Sequence, residues 1–150
     1  MTTGLWVALG AIAVALCFGG YRRVVDGRFM ARSAGRAASA SERVETPAAA
    51  LATLLPQLGE RATLVQFSTA FCAPCRATRR ILGEVAQVVP GVAHVEIDAE
   101  QHLDVVRRLG VVRTPTTLVL DAAGREVARA AGAPRKEQVL SAIAAIDLDG

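Results

Sequence analysis

Cys72 and Cys75, with Ala73 and Pro74 between them, place two thiols three residues apart. At that spacing the sulfurs meet on one helical turn and can bond or part without backbone movement. The chemistry this allows is thiol–disulfide exchange. The run Thr63-Leu64-Val65-Gln66-Phe67 just before reads as a buried strand, and residues 76–88 carry Ile81, Leu82, Val85 and Val88 at helical spacing. Cys72 is therefore expected at a strand-to-helix junction, on the helix N-terminus. Unpaired N–H groups and the helix dipole there favour negative charge and pull a thiol below its usual pKa of about 8.5. The thiolate is the reactive form, so position creates the reactivity.

The rest of the chain must hold that junction. Its 150 residues suffice for one domain and an appendage, and the scarcity of aromatics (4%) leaves a core of Ala, Val and Leu. The net charge of +3 hides an asymmetry: arginines crowd residues 22–43, and the part after Thr46 is nearer balance. No basic patch interleaved with aromatics is present, so nucleic acid is not an expected partner. Three cysteines are too few and too unevenly spaced for a disulfide-stapled secreted scaffold.

Residues 4–20 carry no charge and as a helix would span about 25 Å, near the lower limit for a bilayer core. Trp6 and Tyr21 suit the two interfaces, and Arg22 and Arg23 stand where basic side chains reach headgroups. Residues 1–21 are thus expected to form a single transmembrane anchor. A cleaved signal peptide fits less well, because Met1-Thr2-Thr3 lacks a basic side chain. Leu16 is too bulky before Cys17 for a lipoprotein site, and Cys17 reads as an apolar packing residue. Arg22, Arg23, Arg28, Arg32 and Arg36 all follow the span, so the positive-inside rule places the domain in the cytoplasm. A cytosolic dithiol is kept reduced and would act as a reductant. Residues 22–45 read as a solvated Arg/Ala/Ser-rich linker.

The domain is expected over residues 46–150. Thr46-Pro47 opens a helix reaching Leu58 through Leu51, Leu54 and Leu55. A strand over 63–68, the helix after Cys72 ended by Pro90-Gly91, and a strand over 93–97 follow. A helix over 100–109, a strand over 116–120, a turn at 121–124 and a strand over 125–130 come next. The closing helix spans 134–146, with Val139, Leu140, Ile143 and Ile146 inward. The order predicts an α/β fold, a mixed central sheet with helices on both faces.

This order, with Cys-X-X-Cys after the first strand, resembles the thioredoxin family over residues 46–146. Ala73-Pro74 fills the space between the cysteines as the family's Gly-Pro does. Thr114-Pro115-Thr116 matches its cis-proline loop, and Gly132 falls at a glycine usual after the last strand. The resemblance implies a thioredoxin-like fold and a protein-disulfide reductase with no organic cofactor or metal beyond the Cys72–Cys75 pair. By resemblance Cys72 is the exposed nucleophile and Cys75 the buried thiol that resolves the mixed disulfide. Pro115, in cis, would face the cysteines and leave the backbone of Thr114 to pair with a substrate segment. The expected partners are protein disulfides and, because no nucleotide fingerprint is present, an upstream dithiol protein or small thiol.

The departures from the family are informative. Phe71 replaces the tryptophan common before the nucleophile and, with Gly132, belongs to the substrate surface. Gln66 falls where thioredoxins bury an acid that assists deprotonation of the resolving thiol, and His94 where the neighbouring Lys would be. Two readings of His94 stand side by side: a hydrogen-bonded core histidine, or the acceptor of the Cys75 proton, directly or through a water held by Gln66. A zinc site from Cys72, Cys75, His94 and His102 is weak, since seven residues separate the histidines, against the usual spacing of about three to five. Arg76, Arg79 and Arg80 either support a thiolate or form a solvated helix face, and His102 reads as a surface residue. Two other functions stay open: an extracytoplasmic reductase of the cytochrome-maturation type, and a low-turnover redox-sensing module for a membrane partner.

Overall fold

The computed structural model describes residues 2–25, 29–31 and 47–146. Its elements are α1 (Thr2–Val25), β1 (Phe29–Ala31), α2 (Pro47–Ala50), β2 (Ala62–Ser68) and α3 (Ala73–Val88). There follow β3 (Val92–Asp98), α4 (Leu103–Arg108), β4 (Thr116–Asp121), β5 (Glu126–Ala131) and α5 (Lys136–Ile146). The sheet runs β1-β5-β4-β2-β3; β2 and β3 are parallel and every other pair is antiparallel. This is the mixed sheet that the sequence predicts, with one addition.

β2 is the spine of the fold. All seven of its residues are buried, because it lies between β3 and β4 with helices on both sides. Alternation along the strand sends successive side chains to opposite faces. Val65 and Phe67 join Leu51, Ile97, Val105, Leu118 and Leu120 in one cluster. Leu64 joins Leu82, Val85, Val119, Val139 and Ile143 in the other, under α3 and α5. Gln66 follows Leu64 by two residues, so the α3 face of the sheet carries one buried amide at the level of the cysteines.

Four expectations are corrected. The helix from 46 to 58 ends as α2 at Ala50 and winds down through Leu54 N→Leu51 O (2.8 Å) and Leu55 N→Leu51 O (2.9 Å). Pro56 stops the turns from continuing to Leu58, because it has no N–H to donate and its ring disfavours the helical region for the residue before it. Leu54, Leu55 and Leu58 still pack on the core as the spacing requires. Val88 is 65% exposed and Leu140 38% exposed, each at the solvent edge of its helix's apolar stripe. The third correction is the expected linker, which contributes β1: Phe29–Ala31 pairs antiparallel with β5, covering an edge otherwise left open. Finally, α4 is shorter than residues 100–109, because Asp98 accepts from Glu100 N (2.9 Å) and Gln101 (2.7 Å) and holds that stretch as a turn.

Thr46 and the arginines at 28, 32 and 36 lie outside the described residues. α1 is a continuous helix of 24 residues whose side chains from Trp6 to Tyr21 are all exposed. Among the described residues no helix is long and apolar enough to cross a membrane.

Candidate active site

β2 ends at Ser68, the chain turns over Thr69 to Phe71, and Cys72 caps α3 in extended conformation with Pro74 in the first turn. Pro74 fits there because the first helical N–H groups need no partner within the helix. Cys75 N donates to Cys72 Sγ at 3.1 Å, so the sulfur occupies the capping position where Ser or Asp oxygens usually sit. A thiolate at Cys72 would receive the same hydrogen bond and the positive end of the helix dipole.

The two sulfurs are joined in a disulfide with Cα atoms 5.2 Å apart. Their surroundings differ: Cys72 is half-buried, and Cys75 is 2% exposed beneath the first turn. Thr114–Pro115 is cis. Pro115 O accepts from Gly132 N at 2.7 Å, and Thr114 Oγ1 lies 3.4 Å from Thr69 Oγ1, which ties that loop to the turn before the cysteines. Gly132 has φ 103°, a region that favours glycine. Around the pair Phe71 is 99% exposed, and Ala73 and Pro74 are also open to solvent.

The register places the remaining residues differently from expectation. Gln66 is opposite Glu96 in the parallel pair, whereas His94 is opposite Leu64. Gln66 Nε2 donates to Cys75 O at 3.0 Å and lies 3.5 Å from Glu96 Oε1. Glu96 also accepts from Ser68 Oγ (2.6 Å) and Arg79 (2.7 Å), with a second contact to Arg79 Nε. Partial burial pushes the Glu96 carboxyl up, but the hydrogen bonds from Arg79 and Ser68 and the Arg79 and His94 charges together hold it below the usual carboxylate range. Ser68, Thr69, Cys72, Cys75, Arg76, Arg79, Glu96 and Asp98 line one cavity of about 350 Å³. Sequence reasoning missed Glu96 and Ser68. The alternation of β3 carried part of the signal, because residue 96 must share a face with 94, but its place beside 66 comes from the register of β2 with β3.

His94 is half-buried and its Nε2 has no hydrogen-bond partner among the described residues. Burial pushes its pKa down, opposed by the Glu96 charge and reinforced by Arg79. Below the ordinary value of 6.5 the unfolded chain therefore binds a proton that the folded chain refuses. Stability should be flat above pH 7 and decline as pH falls from about 6.5 toward the depressed folded value, with the loss of Glu96 ionisation adding only below about 4.5. Urea midpoints at pH 7.5 and pH 5.5 test this: the decline should shrink in His94→Gln, and an equal decline in that variant would refute the assignment. His102 is half-buried at the start of α4 and makes no capping hydrogen bond. Among the described residues no group of three or more His, Cys, Asp or Glu side chains could hold a metal ion.

One sulfur within reach of solvent and its bonded partner shielded behind it suit the exchange of disulfides. The class of protein that this fold and site define is a thiol–disulfide oxidoreductase. The thioredoxin family model matches residues 47–145. An H-type thioredoxin of Fagopyrum esculentum is 33% identical over 81 residues, 54% of this chain and 68% of that protein. A thioredoxin of Alicyclobacillus acidocaldarius is 30% identical over 57% of this chain and 82% of its own length. Another curated relative is matched over 53% of its length and a human thioredoxin domain-containing protein over 11%. The thioredoxin structure from Fasciola hepatica superposes with a TM-score of 0.55 at 25% identity, covering 68% of this chain and 95% of its own. That from Nicotiana alata gives 0.51 at 29% identity, covering 57% and 73%. The chain belongs to the thioredoxin family.

Proposed function

We propose that this protein is a membrane-tethered reductase that passes electrons from the Cys72–Cys75 dithiol to disulfides of other proteins. The observation that carries the reading is the asymmetry of the pair: Cys72, half-buried at the capping position of α3, and Cys75, 2% exposed behind it. Cys72 attacks the substrate disulfide as a thiolate, and Cys75 resolves the mixed disulfide. Phe71, Gly132 and the backbone of Thr114 receive the substrate segment beside Pro115. Re-reduction comes from an upstream dithiol protein or small thiol, and no organic cofactor or metal is required.

The tether is α1. The uncharged run over residues 4–20 and the outward apolar side chains Trp6, Val7, Ile12, Val14, Leu16 and Phe18 support insertion in a bilayer. The arginines after the run favour a cytoplasmic domain, the compartment in which a dithiol stays reduced. Thiol labelling tests this, on a Cys17→Ser background because Cys17 is itself a free, exposed thiol. Intact cells receive a membrane-impermeant reductant and then an impermeant maleimide. Labelling of Cys72 in the membrane fraction only after lysis is the expected result. Labelling in intact cells would place the domain outside and favour the cytochrome-maturation type of reductase, and recovery from the soluble fraction would refute the tether.

A further inference from the structure

We propose that Glu96 accepts the proton of Cys75 when that thiol resolves the mixed disulfide, across the cavity that both residues line. The proposal rests on the preceding reading of Cys72 as nucleophile and Cys75 as resolving thiol. Behind Cys75, at the fully buried centre of β2, stands an amide. Gln66 Nε2 fixes the Cys75 carbonyl at 3.0 Å, but an amide cannot take up a proton near neutral pH. The neighbouring strand supplies a carboxylate at the same level. Glu96 is the register partner of Gln66, and its Oε1 is 3.5 Å from Gln66 Nε2 and 2.6 Å from Ser68 Oγ.

The cavity of about 350 Å³ joins this carboxylate to both cysteines and has room for a bridging water. The other charged groups facing it are Arg76 and Arg79 from α3 and Asp98 from β3. Arg79 is committed to Glu96, and Asp98 to Glu100 N and Gln101. His94 shares the face of β3 but does not line the cavity. Glu96 is thus the one of the two cavity carboxylates that stands beside Gln66, the residue fixed to the Cys75 carbonyl, while Arg79 and Ser68 hold it in place.

The step balances. Cys75 Sγ–H gives its proton to Glu96 by way of the water, and the Cys75 thiolate attacks Cys72 Sγ. The Cys72–Cys75 bond forms, the bond from Cys72 to the substrate sulfur breaks, and that sulfur leaves with the electron pair. Glu96 then returns the proton to the leaving thiolate or to solvent.

A symmetric aromatic disulfide that releases a coloured thiolate reads the two half-steps separately in the reduced full chain carrying Cys17→Ser. The first release reports attack by Cys72 and the second reports resolution by Cys75. Glu96→Gln should leave the first release unchanged and slow the second by about 100-fold or more at pH 7, the scale of general-base assistance. The two proteins should converge above the pKa of the thiol, where Cys75 ionises unaided, and Glu96→Asp should recover part of the loss. If Glu96 acted only as a fixed negative charge, its removal would lower the Cys75 pKa and speed the second release at pH 7. A second release that is equal or faster in Glu96→Gln overturns the proposal. Should that variant not fold, Ser68→Ala serves instead. It removes a hydrogen bond that lowers the carboxyl pKa, so the inflection of the second release should move to higher pH, and an unmoved profile overturns the proposal. Absence of the first release would instead sink the reading of Cys72, independently of Glu96.

Discussion

Replacing Cys72 by serine is expected to drop turnover of a protein disulfide to the uncatalysed background, a loss of more than about 1,000-fold given the rate enhancements enzymes ordinarily supply. A serine hydroxyl stays protonated at neutral pH and cannot bond to a disulfide sulfur, so no mixed disulfide forms. The loss should occur without unfolding, because Cys72 is a capping residue and serine is a preferred cap for the hydrogen bond that Cys75 N now gives to sulfur. Cys75→Ser should also stop turnover, but at a different place. Attack by Cys72 still proceeds, and the mixed disulfide persists because nothing behind it can displace the substrate sulfur. Insulin reduction by the full chain with a small dithiol as donor measures both losses. A rate within tenfold of wild type in Cys72→Ser would remove Cys72 from the mechanism.

The largest effect on stability is expected from Phe67→Ala. Phe67 is fully buried near the end of β2 and packs in the cluster of Leu51, Val65, Ile97, Leu118 and Leu120. Truncating such a ring loses its transfer free energy and leaves a cavity that a close-packed core only partly closes, costing about 3–5 kcal/mol. Domains are stable by about 5–15 kcal/mol, so this single change removes a large fraction of the margin. The site would suffer with the core, because only a short turn separates Phe67 from Cys72. Urea unfolding of the oxidised chain measures it, and a change below about 1 kcal/mol would show that the cluster is not the core described here.

Much of this was legible in the sequence because the signals were local. The apolar run before Cys72, Pro74 in the first turn and Pro90-Gly91 after the helix lie within or next to the elements they define. β2, α3 and β3 accordingly have the expected places within a residue or so. Where local signals compete, the reading failed. The leucines at 51, 54, 55 and 58 have helical spacing and do pack inward, yet Pro56 overrides the helix they suggest. β1 was not legible, since three residues in an arginine-rich stretch become a strand only because β5 offers them an unpaired edge. The site shows the same division. Cys72, Cys75 and the cis Thr114–Pro115 bond follow from motifs, whereas the partner of Gln66 depends on register between two strands. Counting along the chain points to His94; pairing the strands brings Glu96.

The measurement that tests the central claim most directly is the intact mass of the Cys75→Ser chain, also carrying Cys17→Ser, after exposure to a protein disulfide. The account predicts one covalent adduct per chain, bonded to Cys72, released by a small dithiol and absent when Cys72 is serine as well. No adduct at Cys72, with the chain folded and its thiol reduced, would contradict it.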